Sequence, residues 1–256
     1  MVDFANFDEG LPTKDTIFPA FRTSIKDFVT FRFVYFDIDD TLLNHRHAER
    51  AALQEVRNQM PVLQKIPVEE LWSTYGTINR GLWEQYGRGE ITRQELQHLR
   101  FSLTMGELAI PDSFQEAIST MYMKLYRKSW TWMSGAEEAL KQIHARTPVG
   151  FLTNGFAEVQ LAKQKAFDLG AYSDIYVISE DVGCMKPSAC IFDHATKRTG
   201  LEPGDILYVG DSHSSDIQGA KRFGWQTAWL SDQESDPTGM ADVIVGSMSE
   251  LVAKLY

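Results

Sequence analysis

The sequence predicts an α/β protein in which a parallel sheet carries helices on both faces and is interrupted by an inserted all-helical domain. From Gly135 onward, apolar runs alternate with amphipathic stretches, the pattern of strand-helix-strand crossovers. A further apolar run, Phe31 to Tyr35, lies far upstream and needs that same sheet for burial. Between the two, residues 45–133 show helical spacing and no strand. The expected organisation is an N-terminal extension at 1–30, a core built from 31–44 and 134–256, and a helical module at 45–133.

In order, residues 1–30 set Phe4, Phe7, Phe18, Phe21 and Phe28 among polar residues and two prolines. That pattern suits a tail packed on its own core, with a partner-binding arm as the alternative. Phe31-Arg32-Phe33-Val34-Tyr35 reads as a buried strand that runs into Phe36-Asp37-Ile38-Asp39-Asp40-Thr41-Leu42. Alternation along a strand would aim Asp37 and Asp39 from one side of its carboxyl end, where open α/β sheets keep ligand crevices. The plain alternative is a polar turn.

Helices are expected over Glu49 to Met60, Val68 to Tyr86, Thr92 to Glu107 and Asp112 to Lys128, punctuated by Pro61, Pro67, Gly87, Gly89 and Pro111. Leu82, Trp83, Tyr86, Leu96, Leu99 and Phe101 are its expected core. Strands follow at Pro148 to Thr153, Ile175 to Ile178, Asp205 to Val209, Gln226 to Leu230 and Asp242 to Val245. Helices fall around Ala136 to Arg146, Ala157 to Leu169, Ser188 to Thr199, Ile217 to Phe223 and Ser249 to Leu255.

Composition bounds the function. With 43% apolar residues a packed core is assured, and a net charge of −10 opposes binding of a nucleic-acid polymer, which needs clustered Lys and Arg. A small anionic metabolite needs only local positive charge and stays allowed. Cys184 and Cys190 are too few for a disulfide framework, and Cys190 with His194 lacks the further ligands of a zinc site, so both are expected as reduced packing residues. No basic segment leads into an apolar one at the start, and no run approaches spanning length. A cytoplasmic protein without membrane contact is expected, and a homodimer is allowed.

Four stretches carry the chemistry, each at the end of an expected strand. Asp37 and Asp39 offer a nucleophile and an acid/base. Thr153-Asn154-Gly155 precedes a helix and combines hydroxyl, amide and close backbone approach as a phosphate cradle; an ordinary turn is the equal alternative. Lys186, fixed by Pro187, is a cation able to hold a carboxylate and phosphoryl oxygens together, or a plain surface lysine. Gly210-Asp211 with Asp216 offers oxygen ligands to a hard cation such as Mg²⁺, although Asp216 also suits a helix N-cap. His213 is a general-base candidate or, more simply, an exposed loop residue.

Together these stretches resemble the haloacid dehalogenase superfamily: Asp37-x-Asp39-x-Thr41, Thr153-Asn154, Lys186, and Gly210-Asp211 with Asp216. The resemblance implies a Rossmann-like core with an inserted helical cap. It also implies Asp37 as nucleophile, Asp39 as acid/base, Thr153 and Asn154 as phosphate binders, and Lys186 as charge stabiliser. Mg²⁺ would be held by Asp37, the Asp39 carbonyl and Asp211. Within the superfamily, Thr153-Asn154-Gly155-Phe156, Ile178-Ser179-Glu180-Asp181-Val182-Gly183 and the module's Leu82-Trp83-x-x-Tyr86 resemble the pyrimidine 5′-nucleotidase branch, as do Gly89-x-Ile91-Thr92 and Gln97-His98-x-Arg100-Phe101. The expected activity is hydrolysis of a phosphate monoester of a small metabolite, a nucleoside 5′-monophosphate first. A sugar-phosphate phosphatase or phosphomutase is the alternative, followed by a non-catalytic phospho-ligand module. Asn79, Trp83 and Arg100 are candidates for holding the base or sugar, set against Trp83 as module core and Arg100 as a surface charge.

Overall fold

The computed structural model describes residues 30–256. Six strands, β1 (Phe33–Phe36), β2 (Val149–Thr153), β3 (Tyr176–Ile178), β4 (Ile206–Gly210), β5 (Gln226–Leu230) and β6 (Val243–Val245), form one parallel sheet in the order β3-β2-β1-β4-β5-β6. Every residue of β1, β2 and β4 is buried, as a sheet covered on both faces requires. Along β1 the faces alternate. Val34 and Phe36 pack with Leu140 and Ile143 of α5 (Ala136–His144) and Leu251 of α9 (Met248–Leu255). Phe33 and Tyr35 face Ile191 and Phe192 of α8 (Ala189–Thr199) and Trp225, which stacks on Tyr35 at 5.1 Å.

Helices α1 (His45–Gln59), α2 (Val68–Gly87), α3 (Arg93–Glu107) and α4 (Gln115–Lys128) build a core of their own from Leu53, Val56, Leu71, Tyr75, Phe101 and Tyr122. Asn44 caps α1 by accepting from the His47 amide, and Thr92 with Glu95 forms a reciprocal capping box on α3. The chain enters and leaves this module through adjacent segments. Leu43 and Trp132 form an antiparallel bridge, the Asn44 amide donates to the Thr131 carbonyl at 2.9 Å, and the Met133 amide donates to the Leu42 carbonyl at 2.8 Å.

Three expectations need correction. The first strand ends at Phe36, so Asp37 and Asp39 lie beyond it, in a segment where Asp40 takes φ 60°, and strand alternation does not extend to them. A short helix, α7 (Ser179–Val182), follows β3. The fourth module helix begins at Gln115, after a 3-10 turn at Asp112–Phe114. Cys184 and Cys190 are joined in a disulfide, with Cα atoms 6.3 Å apart. The turn closed by the Ser188 amide on the Met185 carbonyl reverses the chain and returns the first turn of α8 to Cys184. Sequence spacing does not reveal that reversal. The aromatic-rich stretch 1–29 lies outside the described residues.

Candidate active site

The site lies at the carboxyl ends of β1, β2 and β4, the central strands of a sheet whose order reverses at β1. The Asp37 amide donates to the Val209 carbonyl at 2.9 Å, fixing the residue against β4. Its carboxylate accepts from Lys186 Nζ at 2.6 Å, and the same ammonium lies 2.8 Å from Asp216 Oδ1 and 2.7 Å from the Tyr208 hydroxyl. A buried cation between two buried carboxylates is pinned by several partners at once. Burial pushes the Asp37 carboxyl well up; Lys186 opposes the rise, while Asp216 and Asp211 add to it.

Asn154 explains how the lysine keeps its aim. Its Oδ1 accepts from the Lys186 amide and its Nδ2 donates to the Lys186 carbonyl, both at 2.9 Å. The side chain expected to bind phosphate is thus engaged in holding the Lys186 loop. The Gly155 amide likewise donates to Ser179 Oγ at 3.1 Å. At Gly155 a Cβ would come within 3.0 Å of Gln160 Cγ, so the missing side chain makes room for Gln160. Thr153 Oγ1 is buried with no hydrogen-bond partner among the described residues, which leaves its hydroxyl as a donor for a phosphate oxygen.

Asp37, Asp211 and Asp216 each place one oxygen within 4.8 Å of the others. Burial, then the Asp216 and Asp40 charges, push the Asp211 carboxyl up to about 7. An all-oxygen, mutually repelling set fits a hard divalent cation, which would relieve the repulsion. Gly210 permits the cluster, because a Cβ there would lie 2.7 Å from Asp216 Cγ. Asp216 belongs to a π-helical turn, His213–Ile217, rather than capping a helix, and its Oδ2 accepts from the Ser212 amide at 3.1 Å. His213 is not a free loop residue, since its Nε2 pairs with Asp236 Oδ1 at 2.9 Å.

Asp39 has different partners. Its Oδ1 accepts from Lys163 Nζ at 2.5 Å and its Oδ2 from Gln160 Nε2 at 2.9 Å. Burial alone would raise this carboxyl, but Lys163 and His45 outweigh it and hold it below the usual range. Both partners project from α6 (Ala157–Ala166) three residues apart, on one face. Neither residue stands out in the sequence, where the signal is a glutamine and a lysine at helical spacing just after the Thr153-Asn154-Gly155 turn.

Of the module candidates, Asn79 and Arg100 are brought together and Trp83 is not. Asn79 Nδ2 donates to the buried Glu49 Oε1 at 3.5 Å while its Oδ1 has no described partner. Arg100 is 9% exposed, not a surface charge, and its Nε is also unpaired. The unpaired hydroxyl of Tyr75 shares this core. Trp83 instead packs on Phe156 of the core at 4.9 Å, at the seam between module and sheet domain. Arg93 closes the same seam, lying 4.7 Å over Phe156 and pairing with Glu180 at 3.0 Å.

Comparison with known proteins gives the site a context. A family model described as haloacid dehalogenase-like hydrolase matches residues 31–224. Pyrimidine 5'-nucleotidase YjjG of Escherichia coli is 32% identical over 222 residues, covering 85% of this chain and 95% of its own. Pyrimidine 5'-nucleotidase PynA of Streptococcus pneumoniae is 26% identical, covering 78% and 83%. Among solved structures, the magnesium-bound HAD-hydrolase YfnB of Bacillus subtilis superposes with a TM-score of 0.75 at 26% identity, covering 89% of this chain and 99% of that one. L-2-haloacid dehalogenase from Xanthobacter autotrophicus, at 17% identity and a TM-score of 0.69, covers 88% and 98% and shares the fold.

Proposed function

The chain belongs to the haloacid dehalogenase-like hydrolases, and from that premise we propose that it hydrolyses phosphate monoesters through an aspartyl-phosphate, with nucleoside 5′-monophosphates as substrates. The observation that carries the reading is that Asp37 and Asp39 stand two residues apart, each held by its own buried lysine, Lys186 and Lys163. Two carboxylates with separate environments suit separate roles. The second of them separates this site from a dehalogenase, because halide departs without a proton whereas an alkoxide needs one.

In the first step the negative charge of the incoming phosphate raises the Asp39 carboxyl, which takes up a proton; an Asp37 oxygen then attacks phosphorus, the bond to the ester oxygen breaks, and Asp39 gives that proton to the ester oxygen. In the second, Asp39 takes a proton from water, the water oxygen attacks phosphorus, and Asp37 is released with inorganic phosphate. Thr153 Oγ1 supplies an unengaged donor to a phosphoryl oxygen. Lys186 steadies Asp37 before attack and faces the charge that develops beside it.

Asp37, Asp211 and Asp216 would hold Mg²⁺, with the Asp39 carbonyl completing the set that the family resemblance suggests. Bound there, Mg²⁺ offsets charge on the phosphoryl oxygens. Asn79, Arg100 and Tyr75 are assigned to the leaving group, since each keeps a polar atom with no partner among the described residues in the buried heart of the module. The relatives named as pyrimidine 5'-nucleotidases support a nucleotide as that group's source.

The test is phosphate release from a panel of nucleoside monophosphates and sugar phosphates, with and without Mg²⁺, for the parent and Asp37→Asn. Mg²⁺-dependent release from the parent and none from the variant is expected. Product isomerisation without release would instead indicate a phosphomutase, and silence of the folded parent on every ester would refute the reading.

A further inference from the structure

Lys163 touches the Asp39 carboxylate and the helical module at the same time. Its side chain is 1% exposed. The ammonium lies 2.5 Å from Asp39 Oδ1, 5.5 Å from the Tyr126 ring centre and 5.7 Å from that of Trp130. These distances are within reach of cation–π attraction. Tyr126 belongs to α4, its hydroxyl pairs with His45 Nδ1 of α1 at 2.8 Å, and Trp130 stands in the segment that leaves the module. One cation therefore joins the acid/base residue to two parts of the module.

The grip on Asp39 is also two-sided. Gln160 Nε2 holds the second oxygen at 2.9 Å, and the Gln160 carbonyl accepts from the Tyr176 hydroxyl at 3.1 Å, which anchors that end of α6 to β3. Rotation of an aspartate carboxyl about its last bond is soft. A separate anchor on each oxygen removes that freedom.

We propose that Lys163 is a positioning residue that aims the Asp39 carboxyl and makes that aim depend on the module sitting closed over the sheet. With the module closed, Tyr126 and Trp130 flank the ammonium and Lys163 reaches Asp39; with it lifted, the ammonium loses its aromatic walls and the carboxyl loses one of its two anchors. The plain alternative is an ion pair kept for stability alone. A buried pair is weak evidence for stability, and an apolar replacement of similar shape is often tolerated.

The kinetic part of the test rests on the phosphatase reading, and the structural part does not. Kinetically, kcat/KM is compared for a nucleoside 5′-monophosphate, whose alcohol must be protonated as it leaves, and for p-nitrophenyl phosphate, whose phenolate leaves without a proton. In Lys163→Met the ratio of the two is expected to fall roughly ten- to a hundredfold, the cost of misplacing a general acid. Lys163→Arg, which keeps the cation, is expected to recover most of the ratio. Lys163→Gln repeats the measurement should the methionine variant not fold. An unchanged ratio, or equal loss on both esters, overturns the proposal.

Structurally, a crystal structure of Lys163→Met is expected to show the Asp39 carboxyl turned, and an unmoved carboxyl overturns the proposal whatever the turnover. A parent inactive on both esters, with Asp39 turned in the variant, would sink the phosphatase reading while the positioning role stands.

Discussion

The strand-tip cluster and the heart of the helical module are both buried and polar, yet they are built in opposite ways. Around Asp37 the ammonium of Lys186 meets two carboxylates, a hydroxyl and a carbonyl, and its own backbone is clamped by Asn154. In the module, Tyr75, Asn79 and Arg100 each keep a buried polar atom without a partner among the described residues. A charged cluster this closely connected is rigid and costly to break, and it leaves over little more than the Thr153 hydroxyl, whereas unpaired donors and acceptors in a dry interior favour a ligand that completes them. The difference separates a region set up for one chemistry from a region set up for choosing what the chemistry acts on.

Breaking the first region has the largest expected effect. Lys186→Met leaves Asp37 and Asp216 facing each other without a cation, and removing one partner of such a buried set costs about 3–5 kcal/mol. Urea unfolding should show that loss, and phosphate release should vanish with it. A variant as stable and active as the parent would mean that the cluster does not depend on its cation.

The second region yields a smaller and more selective effect. Asn79→Leu removes an amide that meets Glu49 on one side and nothing described on the other. The ratio of kcat/KM for a nucleoside monophosphate to that for p-nitrophenyl phosphate is expected to fall about tenfold, in line with roughly 1–3 kcal/mol for one buried polar contact. Parallel loss on both esters would place Asn79 in packing alone and blur the contrast between the regions.

A third effect is electrostatic and is read as a slope against pH. The Asp211 carboxyl, pushed up to about 7 by burial and by Asp216, ionises at about 3.9 in an unfolded chain. The folded chain therefore binds the proton more tightly. The stabilisation this gives is fully present below the unfolded value and is lost as pH rises through about 7. In EDTA the melting temperature should fall between pH 4.5 and 8. Mg²⁺ should offset the fall at the upper end, and Asp211→Asn should flatten the slope; an equal slope in that variant would remove Asp211 as its source.

Much of the strand-tip region is legible in the amino-acid order alone, because Asp37, Thr153 and Asp211 each close or follow an apolar run that reads as a buried strand. Asp39 is legible as a carboxylate but not in its partners, because Lys163 and Gln160 come from a helix far along the chain. Lys163 and Gln160 stay hidden because a helical face has no address in sequence until its helix is docked. The burial of Arg100 is equally hidden: a single arginine among apolar residues reads as an exposed charge, and only bundle packing puts Phe101 and Tyr122 against it. The Cys184–Cys190 link depends on a chain reversal that spacing does not record.

The paired segments at Leu42–Asn44 and Thr131–Met133 carry a consequence for how such a chain is assembled. The two ends of the module leave the sheet domain side by side, already joined by backbone hydrogen bonds, so the core sees the whole excursion as a single hairpin-sized opening. Its length is almost irrelevant to the sheet, since the entropic cost of closing a loop grows only with the logarithm of loop length. A bundle of another size could be grafted at the same doorway without moving β1 or β4, and if it kept the aromatic walls of Lys163 the reaction centre would stay while its choice of guest is rewritten.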